Sequence, residues 1–132
     1  MNILIDSNVL FSAFISRGIC AEIMELVLTS HNLILCEEIL AELKKNLAKK
    51  IGVPDAVICE YTNLLKMRSI VHEPMPINAD ACRDKHDLMV LGAALAGEAD
   101  VIITGDNDLL VLNSFRSIRI INPRESIAFL KK

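Results

Sequence analysis

Short apolar runs alternate with segments of helical periodicity along all 132 residues of the chain. The first run, Asn2-Ile3-Leu4-Ile5, stops on Asp6-Ser7-Asn8 and reads as a buried strand. Helix-compatible apolar residues follow over 9–15 and again over 21–28 beyond Arg17-Gly18, which predicts one or two helices. A second strand is predicted over 32–36. Behind it Ile39, Leu40, Leu43, Leu47 and Ile51 recur at helical spacing, giving a helix over 37–50 that Gly52-Val53-Pro54 closes. Residues 55–67 fit another helix and 69–72 a third strand.

The stretch 73–82 contains Pro74, Pro76, Asn78 and Asp80 and reads as one long loop, placed ahead of an acidic helix where it can fold over a site. That helix is predicted over 84–96. Gly92, Ala93, Ala94 and Ala96 permit close approach of its neighbours, so it is expected to be central and buried. A fourth strand over 101–104, a short helix over 108–112, a fifth strand over 117–121 and a terminal helix over 124–130 complete the pattern. Strands alternating with helices predict an α/β fold, with a mainly parallel, about five-stranded sheet covered by helices on both faces through right-handed crossovers. No repeat, low-complexity segment or linker divides the chain, so residues 1–132 are expected to form a single domain.

Composition narrows the function classes. A hydrophobic fraction of 52% and a mean hydropathy of +0.41 fit a well-filled α/β core and leave apolar side chains for an oligomer surface. The longest uncharged apolar run, 88–97, is far short of the ~20 residues a membrane span requires, and Asp6 interrupts the N-terminus before a signal-type apolar region develops. The simplest expectation is a cytoplasmic protein with no membrane partner. Cys20, Cys36, Cys59 and Cys82 form no C-x-x-C pair, and no His stands at zinc-ligand spacing, so reduced, mostly buried thiols are expected. His31, His72 and His86 are isolated loop or surface candidates, of which His86, beside Asp87, is the one to watch.

The formal charge of −3 argues against a non-specific nucleic-acid binder with a strongly basic face. Leaving out Asp6, Glu42, Asp87 and Asp106 turns the balance to +1, so a cation bound among them would remove most of the repulsion toward a polyanion. Lys44, Lys45, Lys49 and Lys50 make up the dense basic cluster, readable as a solvated helix face or as a phosphate contact.

Asp6 and Asp106 each follow a strand, at the sheet edge where open parallel sheets bind ligands. A carboxylate at the end of a buried strand is costly unless paired, hydrogen-bonded or bound to metal. Each could also cap the helix that follows. Asp84 and Asp87 are spaced as an N-cap and its third residue. Capping explains Asp84 more fully than Asp87, which stands where the apolar run begins. Glu42 and Glu37 fall near opposite borders of the apolar stripe of their helix, Glu38 more to the solvent side, and periodicity does not choose between the first two. Thr104 adds a hydroxyl before Asp106 and Asp108, and Gly105 gives the backbone room to turn. Several carboxylates at one site repel one another unless a divalent ion compensates. Mg²⁺ or Mn²⁺ suits an all-oxygen set.

In this order the motifs resemble those of the PIN domain family, a Rossmann-like, three-layer ribonuclease fold frequent among the toxins of toxin–antitoxin pairs. Asp6-Ser7-Asn8-Val9-Leu10 resembles the family's opening motif, with Ser7 where Thr is common, and Ile39-Leu40-Ala41-Glu42-Leu43 its helix-borne glutamate. Asp87-Leu88-Met89-Val90-Leu91-Gly92-Ala93-Ala94 and Thr104-Gly105-Asp106-Asn107-Asp108 resemble the third and fourth motifs. The resemblance covers roughly residues 1–122 and implies Asp6, Glu42, Asp87 and Asp106 as catalytic acids. It implies metal bound by Asp6, Asp87, Asp106 and the accessory Asp108, with Ser7, Asn8 and Thr104 as polar supports. The expected activity is Mg²⁺- or Mn²⁺-dependent endoribonuclease cleavage, with Lys44 or Lys45 guiding the RNA backbone. A homodimer and an antitoxin partner are expected as well.

Two rivals stand beside this. A Mg²⁺-dependent phosphatase or phospho-receiver would want a second Asp where Asn8 stands, or a Lys where Asn122-Pro123 stands. An inactive RNA- or partner-binding module would keep the acids without turnover. One tyrosine, no tryptophan and core-like spacing of Phe11 and Phe14 leave no aromatic base-stacking platform.

Overall fold

A computed structural model describes residues 1–131. The strands are β1 (Asn2–Ile5), β2 (Asn32–Leu35), β3 (Ser69–Val71), β4 (Val101–Ile103), β5 (Ser114–Phe115) and β6 (Ile118–Ile121). The helices are α1 (Ser7–Ile15), α2 (Ile19–Ser30), α3 (Glu37–Ile51), α4 (Asp55–Met67), α5 (Lys85–Ala96), α6 (Asn107–Leu110) and α7 (Pro123–Leu130). The strand order is β3-β2-β1-β4-β6-β5, parallel throughout except for β5, which runs antiparallel to β6. The α/β expectation holds, with six strands in place of five. The extra strand is two residues long and turns into β6 through Arg116, at φ 56°, just after Asn113 at φ 59°.

Strands β1, β2 and β4 contribute side chains that are almost wholly buried, so both faces of the sheet centre must be covered. Helices α1 to α4 and α7 pack on one another, whereas α5 packs against β1 and β2. Right-handed crossovers place α5, which returns the chain from the β3 edge to β4, on the face opposite α1 to α4. As its small residues predict, α5 buries Val90, Leu91, Gly92, Ala93 and Ala94. A Cβ added at Gly92 would lie 2.2 Å from the Met75 carbonyl oxygen, so glycine permits the chain to cross the helix there. The Met75 amide donates to the Gly92 carbonyl at 3.0 Å and straps the segment down. The long segment after β3 thus lies along α5 in its first half, contains a 3-10 turn at Ala79–Ala81, and delivers only Cys82 and Arg83 to the acidic cleft.

The chain leaves β1 for β2 and β3 on one side and later fills β4 and β6 on the other. The gap beyond β1 and β4 is therefore the topological switch point, where such sheets open a crevice. Asp6 follows β1 and Thr104 follows β4 at that gap.

Candidate active site

Asp6 is 1% exposed and caps α1, accepting from the Ser7 amide at 2.7 Å through Oδ1. Its second oxygen, Oδ2, accepts from Thr104 Oγ1 at 2.9 Å and from Asn8 Nδ2 at 3.2 Å. Thr104, itself fully buried, also receives the Asp106 amide on its hydroxyl at 3.0 Å. Asn8 reaches the same loop from α1 and accepts the Gly105 amide at 2.9 Å. Of the three polar residues expected as supports, Asn8 and Thr104 reach Asp6 with their side chains and Ser7 with its backbone alone. Ser7 contributes its amide, while Asn8 and Thr104 tie the end of β1 to the end of β4.

Asp106 caps α6 by accepting the Asp108 amide at 2.9 Å. Asp84 caps α5 through the His86 amide at 2.9 Å, as its position suggested. Capping thus accounts for one oxygen each of Asp6 and Asp106 and does not exhaust either carboxylate. Asp87 does no capping. It is fully buried, its Oδ1 has no hydrogen-bond partner among the described residues, and its Oδ2 accepts from the Cys82 thiol at 3.7 Å. Burial first, then the Asp106 carboxylate, push the Asp87 carboxyl up to about 7. One carboxylate oxygen from each of Asp87, Asp106 and Asp108 falls within 4.8 Å of the others. Asp108 also accepts from the exposed Arg83 guanidinium at 2.8 Å.

Glu42 turns toward the cleft and lies 2.8 Å from His86 Nδ1. Its alternative, Glu37, is exposed and pairs with Lys66 at 3.5 Å, and Glu38 is the more covered of that pair, the reverse of the helical-wheel expectation. The carboxyl end of β3 comes down beside α3, where Val71, His72 and Glu73 share a surface cleft with both glutamates. His86 Nε2 lies 3.6 Å from Asp6 Oδ1, an ion-pair separation too long for a hydrogen bond. Asp6 holds the imidazole up, to about 9, against the opposing effect of burial, and Glu42 and Asp87 add to the lift. The sequence marks this histidine only by its place beside Asp87.

Lys44 is half-buried and Lys45 exposed on α3, and among the described residues neither forms a salt bridge. Of the cysteines, Cys36 is buried, Cys20 and Cys82 are partly covered, and Cys59 is exposed, contrary to the expectation of mostly buried thiols. Cys59 lies on the outer side of α4, whose inward side is filled by Ile58, Thr62 and Leu65.

Several acids brought together, one of them fully buried with an unpartnered oxygen, form an arrangement that a hard divalent cation would neutralise and complete. The residues therefore fit a Mg²⁺ or Mn²⁺ site.

The PIN domain family model matches residues 2–108. Solved structures share the fold. VapBC2 from Rickettsia felis, determined bound to a DNA fragment from their promoter, superposes with a TM-score of 0.66 at 14% identity, covering 92% of this chain and 98% of that one. VapBC-1 from nontypeable Haemophilus influenzae superposes with a TM-score of 0.65 at 20% identity, covering 94% of this chain and 99% of that one. No curated protein matches the chain.

Proposed function

The chain belongs to the PIN domain family, and from that premise we propose that it is a metal-dependent endoribonuclease that hydrolyses RNA phosphodiester bonds, the toxin of a toxin–antitoxin pair. The observation that carries the reading is Asp87, a fully buried carboxylate with an unpartnered oxygen, grouped with Asp106 and Asp108 at the switch point of the sheet.

In this reading Asp6, Asp87 and Asp106 hold the ion, and Asp108 is an accessory ligand. Bound Mg²⁺ or Mn²⁺ supplies activation of water and stabilisation of the leaving oxyanion. The chain's own part is positioning. Thr104 spaces Asp6 from Asp106, Asn8 holds the Gly105 turn, and burial of Asp6 and Asp87 keeps bulk water from competing for the ion. Lys44 and Lys45, within a turn of Glu42, are the cations we assign to the RNA backbone.

A protein partner is part of the proposal. Ile15, Ile19, Val57, Leu64 and Met67 are large apolar side chains left exposed on α1, α2 and α4, a surface suited to an antitoxin or a second copy in a homodimer.

Labelled single-stranded and structured RNAs incubated with Mn²⁺, or with chelator, test the activity directly. Cleavage by the unmodified protein should require the ion. In Asp6→Asn and Asp106→Asn it should fall by more than the roughly 10–100-fold that outer-shell residues cost. Cleavage persisting in both variants would sink the site assignment. Accumulation of phosphoprotein would favour a phosphatase, and binding without cleavage an inactive RNA-binding module.

A further inference from the structure

One side chain at the centre of the cleft has no part in that scheme. His86, the second residue of α5, sits between Asp6 and Glu42. We propose that His86 is a nitrogen ligand of the metal, oriented by Glu42 from outside the coordination sphere, so that the site selects a first-row transition ion such as Mn²⁺ over Mg²⁺. The inference rests on the metal-site reading above and changes the donor set from all-oxygen to mixed.

The two ring nitrogens are in different situations. Nδ1 faces Glu42 Oε2 at 2.8 Å, so its N–H donates to that carboxylate. The remaining ring proton, on Nε2, is the one that a bound ion would displace. Nε2 is buried and has no hydrogen-bond partner among the described residues. A buried imidazole kept only for packing ordinarily satisfies both nitrogens. Here Nε2 has no hydrogen bond, and the Asp6 Oδ1 it pairs with by charge is 3.6 Å away. Two atoms that each bind a common ion at about 2.1 Å can be at most about 4.2 Å apart, and 3.6 Å lies within that limit.

A carboxylate on one nitrogen and a metal on the other is the recurring arrangement of metal-bound histidine, in which the outer carboxylate fixes ring orientation and raises ligand basicity. Glu42 fits the outer position. It projects from α3, touches the imidazole rather than the Asp87, Asp106 and Asp108 group, and is the more solvent-exposed of the pair. Imidazole is a softer donor than carboxylate, so its presence moves preference away from Mg²⁺ and along the transition series.

The test uses the full chain, stripped with chelator and loaded with Mn²⁺ alone, and does not depend on turnover. Electron spin-echo envelope modulation should show imidazole ¹⁴N coupled to the bound Mn²⁺, and the modulation should vanish in His86→Gln and in His86→Asn. Competition of Mg²⁺ against Mn²⁺ should show the preference for Mn²⁺ dropping about 10-fold or more in either variant. Glu42→Gln retains an acceptor for Nδ1–H, so the ¹⁴N signal should persist there with weaker Mn²⁺ affinity. Mn²⁺ that binds without ¹⁴N modulation overturns the role of His86 and leaves the carboxylate site standing. Modulation that survives both His86 variants assigns the nitrogen elsewhere and equally overturns it. Absence of Mn²⁺ binding removes the metal site and this inference together.

Discussion

Thr104 Oγ1 donates to Asp6 Oδ2 at 2.9 Å, joining two residues 98 positions apart across the switch point of the sheet. The same hydroxyl accepts the Asp106 amide at 3.0 Å, so one oxygen sets the spacing between two acids that share no direct contact. Both bonds are buried or nearly so. There a lost hydrogen bond leaves its partner without water to replace it.

Replacing Thr104 by Val, which keeps shape and removes the hydroxyl, should therefore cost about 1–3 kcal/mol of stability. It should also weaken Mn²⁺ binding by about 10–100-fold, the scale for loss of an outer-shell partner. Thr104→Ser should restore most of both. Calorimetric titration with Mn²⁺ and thermal melts in chelator check the two effects separately. Unchanged metal affinity in Thr104→Val would show that the Asp6 to Asp106 spacing is held by other contacts.

Asp87 illustrates a conflict between stability and chemistry. Its carboxyl is held up to about 7, chiefly by burial and then by Asp106, so its ionised form is disfavoured in the metal-free fold. Asp87→Asn removes the ionisable group while keeping the shape. At pH 8 in chelator the variant should melt higher than the parent, by about 3–6 °C for each kcal/mol recovered. At pH 5 the difference should shrink, because the parent carboxyl is then largely protonated. The same variant should lose metal binding. A lower melting temperature at pH 8 would contradict the reading of Asp87 as a destabilising acid retained for a cation.

Gly92→Ala tests the packing that aligns α5 with the sheet. The added methyl would meet the Met75 carbonyl oxygen at 2.2 Å, and this neighbour is backbone that cannot swing aside. The segment must lift, breaking the bond from the Met75 amide to the Gly92 carbonyl. A loss of about 1–3 kcal/mol is expected, as for other overpacked sites. Faster proteolysis between Glu73 and Ala81 should accompany it. Gly97→Ala, whose added Cβ has side-chain atoms of Ile34 and His72 as its nearest neighbours rather than backbone, should be milder.

These residues also show what the sequence discloses and what it hides. Asp6 and Asp106 stand out in the sequence because each follows a strand of apolar residues, and a strand end in a parallel sheet is a place as well as a conformation. Asp87 was ambiguous because the third position of a helix explains an acid without any site. Burial removes that explanation, and burial comes from the strands packed around it. Glu42 and Glu37 looked alike on one helical wheel; Lys66, from another helix, takes Glu37 away. Strand β5 was missed for a local reason. Its turn places Arg116 at positive φ, without the Asn-Gly or Gly signal that hairpins usually carry. His86 stands out in the sequence only beside Asp87, because its partners come from the end of β1 and from α3, and no spacing within α5 announces them.

The pH dependence of the metal-free protein follows from the same two groups. The raised Asp87 carboxyl means the folded state keeps a proton that the unfolded state releases, so its contribution is full at acid pH and is lost as pH rises through about 7. His86, raised to about 9, contributes stability that is fully present below the ordinary histidine value near 6.5 and is lost as pH rises through about 9. Both slopes have the same sign, so melting temperature in chelator should fall steadily between pH 5 and 9. Saturating Mn²⁺ should oppose that fall, since the ion binds the forms the proton vacates, and apparent Mn²⁺ affinity should climb over the same interval with release of protons on binding. Melts at four pH values with chelator and with Mn²⁺, together with titrations in buffers of different ionisation enthalpy, measure both trends. A metal-free melting temperature that rises toward pH 9 would mean that neither group carries the proton affinity its surroundings impose.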